Sequence, residues 1–231
     1  MKQLKQLTDD FLNLFYPRLC AACGNTLYHQ EEYICTRCLF HLPKTNYHLI
    51  RDNPVSQIFW GRVPVEFATS FYEFQKGSNF QKLLHKMKYQ NQKEIGWVLG
   101  MHFGQTLNRS PIGRKIDIIV PVPLHPQRQR KRGYNQSEWI AKGLAHTMRK
   151  QMVSSNLFRS AYTSTQTQKG RYERWQNVEK AFDLHHATQF NNQHILLIDD
   201  VVTTGATLEA CAHTILKSAN SRVSIATLAC A

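Results

Sequence analysis

The sequence predicts an α/β protein: a mostly parallel sheet flanked by helices, with a small cysteine-bearing element before it. Short, almost wholly apolar runs at 116–122, 195–198 and 223–228 have the character of strands buried on both faces. Segments with helical spacing lie between and around them, at 137–150 and 208–219, where Leu208, Cys211, Ala212, Ile215 and Leu216 fall on one stripe. Strand–helix–strand alternation closes into a parallel sheet covered by helices. The third observation is a pair of C-x-x-C motifs within the first 50 residues, a stretch poor in long apolar runs.

The chain has 231 residues, 42% of them hydrophobic. That suits one α/β domain with a small appendage and disfavours disorder. The expected division is 1–55 for the N-terminal helix and cysteine module and 56–231 for the α/β domain, with Pro54, Gly61 and Pro64 marking the boundary region at 45–64. No apolar run approaches the length of a membrane span, so no membrane insertion is expected. The first residues lack the apolar core of a secretory signal; Leu4, Leu7, Phe11, Leu12, Leu14 and Phe15 suggest a short amphipathic helix, and a cytoplasmic location is expected. The net charge of +13 points to an anionic partner, namely phosphate, pyrophosphate or nucleic acid, against the alternative of a merely solvated basic face.

The remaining elements follow in order. Residues 67–74 read as an aromatic-rich strand and 80–107 as helix broken near Asn91, with Gly96 and Gly100 weakening it. Residues 123–134 read as a basic loop and 156–161 as a strand. Residues 163–178 are polar and basic without a clear period.

The strongest functional pattern is ILLIDDVVTTGAT at 195–207. An apolar strand runs into Asp199 and Asp200, which places two carboxylates at the carboxyl end of a buried strand, where open α/β sheets bind ligands. Val201 and Val202 can anchor the loop inward. Thr203, Thr204, Gly205, Ala206 and Thr207 lead into a helix, whose first N–H groups and dipole suit a phosphate monoester. Threonine hydroxyls add donors, and Gly205 permits close approach or positive φ. Carboxylates ahead of a phosphate loop are in the right order to hold the hydroxyls of a ribose 5-phosphate ester. The bland alternatives are an Asp-Asp turn with a Thr cap, or a metal-binding or phospho-acceptor carboxylate pair.

A second anion loop is expected at 120–136, VPVPLHPQRQRKRGYNQ. Arg128, Arg130, Lys131 and Arg132 cluster after the 116–122 strand; Gly133 permits a turn, and Asn135 and Gln136 offer amide donors. Positioned cations of this kind stabilise a leaving pyrophosphate. The alternative is a basic nucleic-acid-binding run or a solvated loop.

Cys20, Cys23, Cys35 and Cys38 form two C-x-x-C pairs separated by eleven residues, the spacing of a tetrahedral thiolate site for structural Zn²⁺. Such an element is too small to fold on its own core, so metal binding supplies much of its stability. Redox-active pairs or an iron–sulfur site are the rivals. His29 and His41 are expected at the surface, and Cys211 and Cys230 as small core hydrophobes.

At 195–207 the sequence resembles the type I phosphoribosyltransferases, and the resemblance implies their fold. It implies that Asp199 and Asp200 hold the ribose hydroxyls of phosphoribosyl pyrophosphate (PRPP), that 203–207 cradle the 5-phosphate, and that Mg²⁺ accompanies PRPP. More narrowly, the chain resembles the ComF family, associated with bacterial DNA uptake. The resemblance is carried by LLHKMKY at 83–89 with its Lys88-Tyr89 pair, by RGYNQ at 132–136, and by Gln166, Arg174, Asn177, Ala181 and Phe182 in 163–182. Lys169 replaces an expected apolar residue. The 163–182 stretch stands where type I enzymes carry a flexible catalytic lid. The implied activity is transfer of a phosphoribosyl group to an unidentified acceptor, with Asp199, Asp200 and Arg132 in the catalytic machinery. The alternatives are a single-stranded DNA handling module, with Tyr134, Tyr172 and Trp175 for stacking and DNA-uptake proteins as partners, or a PRPP sensor without turnover.

Overall fold

The computed structural model of the protein describes residues 16–160 and 181–231. The amphipathic segment expected at 4–15, and the lid residues Gln166, Arg174 and Asn177 with Lys169, Tyr172 and Trp175, lie outside the described residues.

Among the described residues, five strands form one sheet in the order β1-β7-β6-β2-β3. They are β1 (Phe67–Glu73), β2 (Ile118–Pro121), β3 (Gln151–Met152), β6 (His194–Val202) and β7 (Arg222–Cys230), and every neighbouring pair is parallel. A separate antiparallel pair, β4 (Leu157–Arg159) and β5 (Phe182–Leu184), makes a two-stranded ribbon. The chain thus has the parallel sheet flanked by helices that the sequence predicts.

Strand alternation sends side chains to two cores. On one face Ile119, Leu196, Ile198, Ala226 and Leu228 pack beneath helices α3 (Asn79–Tyr89), α4 (Glu94–Asn108) and α7 (Gln136–Met148). On the other, Ile118, Val120, Ile195, Leu197, Val223 and Ile225 meet α8 (Ala206–Ile215) and the segment around α2 (Pro54–Gln57). Each fully buried large apolar side chain in these layers contributes about 1.5–3 kcal/mol.

The helix break falls where the sequence places it: α3 ends at Tyr89, and Asn91 takes a left-handed φ of 54°. The glycines that weaken α4 locally have a packing role. A Cβ on Gly100 would lie 2.2 Å from the Ile140 carbonyl oxygen, and one on Gly143 2.3 Å from that of Trp97. Helices α4 and α7 therefore meet backbone against backbone, and glycine is required at the crossing.

The chain before β1 belongs to the same body. Lys44 bridges Tyr72, and the Thr45 N–H donates to the Phe71 carbonyl, so this stretch runs beside β1. Ala21, Ala22, Ile34 and Leu42 of the cysteine element, which includes α1 (Thr36–His41), join the core beneath α4.

Candidate functional site

Strand β6 carries Asp199 and Asp200 within it, because pairing with β7 continues past them through Val201–Ala229 and Val202–Cys230. The acidic pair is therefore held by a ladder rather than by a loose turn. The Ser137 hydroxyl, at the start of α7, donates to Asp199 Oδ1 at 2.8 Å, and the Asp200 N–H donates to the same oxygen at 2.8 Å. Burial and the neighbouring Asp200 charge push the Asp199 carboxyl up to about 7, against the opposing pull of these two donors and of Lys88. Lys88 Nζ lies 2.8 Å from Asp200 Oδ2. The lysine comes from the last turn of α3, so three elements converge on the two carboxylates.

Beyond Val202 the chain turns into α8. Gly205 caps the helix with φ 74°. Thr203, Thr204, Ala206 and Thr207 line a small cavity of about 60 Å³ that Asp199 also borders. Among the described residues, no hydrogen bond engages the backbone N–H groups of 203–207 or the hydroxyls of Thr203, Thr204 and Thr207. Their donors converge at the positive end of a ten-residue helix, a ready anion cradle.

The floor of this loop was not foreseen from sequence. A Cβ on Gly205 would lie 2.6 Å from Ile58 Cγ2 and 3.0 Å from Phe59 Cε1. Arg62 donates from Nη1 to the Thr204 carbonyl at 2.8 Å and pairs through Nη2 with Glu209. These residues hold the loop from below across more than a hundred positions of sequence.

The loop after β2 differs from its expected form. The basic run is helical, α6 (Pro126–Arg132), with proline at its start and Gly133 at φ 79° ending it. Proline presets the first-turn φ and glycine takes the left-handed cap, which fixes this helix despite its lack of an apolar stripe. Arg128, Arg130 and Lys131 are exposed. Arg132 turns inward: its Nη1 donates to Gln136 Oε1 at 2.8 Å, and its guanidinium lies 5.5 Å from the Tyr89 ring centroid. Tyr134 is buried and donates its hydroxyl to the Met87 carbonyl. Asn135 donates to the Val122 carbonyl at 2.9 Å and accepts from the Ser137 N–H, capping α7. Both amide-bearing residues expected as anion donors, Asn135 and Gln136, are thus buried.

The four cysteine sulfurs lie within 4.8 Å of one another. Cys23 and Cys35 Sγ are 3.8 Å apart, too far for a disulfide. A tetrahedron with metal–sulfur bonds near 2.3 Å has sulfur–sulfur edges of about 3.8 Å, so the geometry fits a thiolate-bound metal ion. The Cys35 N–H donates to Cys20 Sγ at 3.3 Å and the Cys38 N–H to Cys35 Sγ at 3.4 Å. Burial opposes the Cys20 thiolate, but the backbone donors of Cys35, Cys23 and Ala22 prevail and draw it down to about 7, while burial and the adjacent sulfurs push Cys38 up. Four thiolates this close require a cation to ionise together. His41 is not among the ligands; its Nδ1 meets the Arg37 carbonyl. Cys211 is buried in the core, and Cys230 is half-buried.

Comparison with known proteins agrees with this geometry. Residues 98–230 match the phosphoribosyl transferase domain, so the chain carries a domain of that class. It is 32% identical to the DNA utilization protein YhgH of Salmonella typhimurium over 90% of this chain and 88% of that one. It is also 26% identical to the competence protein ComFC of Bacillus subtilis, over 87% and 78% of the two chains. The chain belongs to the ComF family of phosphoribosyltransferase-like proteins. Among solved structures, the glutamine phosphoribosylpyrophosphate amidotransferase of B. subtilis aligns with a TM-score of 0.43 at 15% identity, over 62% of this chain and 30% of that larger one.

Proposed function

We propose that the protein binds PRPP at the carboxyl edge of β6 and transfers its phosphoribosyl group to an acceptor. The observation that carries this reading is the arrangement of Asp199 and the unengaged donors of 203–207 around one small cavity, with Asp200 next in the strand and lining an adjoining cavity. In it, Asp199 and Asp200 accept hydrogen bonds from the ribose hydroxyls, while the loop N–H groups and threonine hydroxyls donate to the 5-phosphate. Val201 and Val202 fix the loop to the sheet. Lys88 compensates Asp200 until the sugar arrives. Arg128 and Lys131 attract the pyrophosphate, and Arg132 and Gly133 shape the turn beside it.

As the reaction proceeds, the C1–O bond to pyrophosphate breaks, pyrophosphate keeps the electron pair, and the acceptor nucleophile bonds to C1. The protein contributes orientation of the sugar and electrostatic stabilisation of the leaving group. The Asp pair supplies hard oxygen donors of the kind Mg²⁺ takes, and the ion, when bound, neutralises pyrophosphate charge. Gln166, Arg174 and Asn177 belong to the segment proposed to close over the bound ligand. The cysteine element holds Zn²⁺ as a structural ion, and its reduced thiols suit the cytoplasm. The names of the relatives support a setting in the handling of incoming DNA.

Calorimetric titration of PRPP with MgCl₂ tests the proposal. Binding is expected, and Asp199→Asn and Asp200→Asn each weaken it by about 10- to 100-fold through loss of charged hydrogen-bond acceptors. An absence of PRPP binding by the unaltered protein overturns the reading.

A further inference from the structure

The two carboxylates of β6 are oriented by different means. Asp200 faces a cation: its Oδ2 lies 2.8 Å from Lys88 Nζ, in the last turn of α3. Among the described residues, no cation pairs with Asp199 in this way. Its Oδ1 accepts from the Ser137 hydroxyl and from the Asp200 N–H, each at 2.8 Å, and its Oδ2 accepts no hydrogen bond among the described residues. Asp199 also borders the small cavity of 203–207. One of its oxygens is therefore tied to the protein and the other is open.

The two donors on Oδ1 are not equivalent. The Asp200 N–H belongs to the next peptide of the same strand, so it fixes the carboxylate from one side only. A single local donor leaves the carboxylate free to turn, because the terminal torsion of aspartate is broad and roughly two-fold. The Ser137 hydroxyl supplies a second fixed point. It comes from 62 positions away in sequence, from the first turn of α7, and its residue is buried. Among the described residues, Ser137 is the side chain that donates a hydrogen bond to Asp199.

We propose that Ser137 is a positioning residue: it turns Asp199 so that Oδ2 meets one ribose hydroxyl, and thereby sets a preference for ribose over deoxyribose phosphates. The inference rests on the phosphoribosyl reading of the site. A charged acceptor aimed at a hydroxyl rewards the sugar that carries it, and is left unpaired by the sugar that lacks it. The reward depends on aim. With alanine at 137, Asp199 keeps its charge and its place in the ladder but turns freely, so a hydroxyl no longer meets a fixed acceptor. Ser137 itself touches no part of the sugar and acts through Asp199.

The test compares ribose 5-phosphate, 2-deoxyribose 5-phosphate and 3-deoxyribose 5-phosphate by NMR titration of the full chain in one magnesium buffer. The unaltered protein is expected to hold ribose 5-phosphate about tenfold or more tightly than at least one of the deoxy sugars. Ser137→Ala is expected to cut that ratio to about threefold or less, while affinity for the disfavoured sugar changes by less than about twofold. A ratio left in place by Ser137→Ala, whether all three sugars weaken alike or none does, overturns the proposal. Equal binding of the three sugars by the unaltered protein overturns it too. Failure of ribose 5-phosphate and PRPP alike to bind the unaltered protein overturns the underlying reading instead, and this proposal with it.

Discussion

Two loops leave neighbouring strands at the same sheet edge, and they use their polar residues in opposite ways. After β6, the N–H groups and threonine hydroxyls of 203–207 have no partner among the described residues, and the loop is held from outside by Arg62, Ile58 and Phe59. After β2, the polar residues turn inward: Asn135 bonds Val122 and caps α7, Gln136 receives Arg132, and Tyr134 reaches Met87. One loop leaves its donors open at a cavity; the other ties Asn135, Tyr134 and the Gln136 amide oxygen into its own fold and exposes Arg128, Arg130 and Lys131. Polarity in a sequence therefore does not say which way a group faces.

The largest expected effect probes the first loop. With Asp199 raised to about 7, the native state holds a proton that the unfolded chain releases at ordinary carboxylate pH. Stability therefore falls as pH rises from roughly 4 to 7, and the full penalty is present above that. Asp199→Asn removes the charge. The ligand-free variant should lose this slope relative to the parent and melt higher at pH 8, by roughly 2–4 °C for each kcal/mol recovered. Melting curves of both proteins from pH 5 to 8 check it; parallel curves break the contrast.

An intermediate effect is expected in the second loop. Asn135→Ala removes a helix cap and leaves the Val122 carbonyl without its donor, a loss of about 1–3 kcal/mol in urea unfolding. PRPP affinity of the folded variant should change by less than about twofold, since a capping amide is not a ligand contact. A large affinity loss without instability would instead make Asn135 a binding residue. The smallest effect concerns the exposed cations. Arg128→Ala and Lys131→Ala should leave stability within about 0.5 kcal/mol. Each should weaken pyrophosphate binding a few-fold at low salt, with the difference shrinking as salt is added.

The legible parts of the molecule were those written contiguously. The 195–207 string, the two C-x-x-C pairs and the apolar strands each carry their pattern within a dozen or so residues. Partners separated in sequence were not legible. Ser137 on Asp199 and Arg62 beneath Thr204 depend on how α7 and the segment after α2 dock against the sheet, which no local period encodes. Lys88 was singled out only through family resemblance, and its pairing with Asp200 is a tertiary fact. Helix α6 was missed although Pro126 and Gly133 bracket it, because a run of arginine and lysine offers no apolar stripe to mark a helical face. Gly100 and Gly143 misled in the other direction: local propensity counts glycine against a helix, while close helix crossing demands it.

The brace beneath the 203–207 loop bears on how this protein can be divided. The matched transferase domain begins at residue 98, yet Ile58, Phe59 and Arg62 form the underside of its most characteristic loop. The residues before 98 and the matched transferase domain are therefore not interchangeable cassettes. A recombinant that joined a foreign amino-terminal portion at residue 98 would inherit the 203–207 loop and lose the residues that keep it in position.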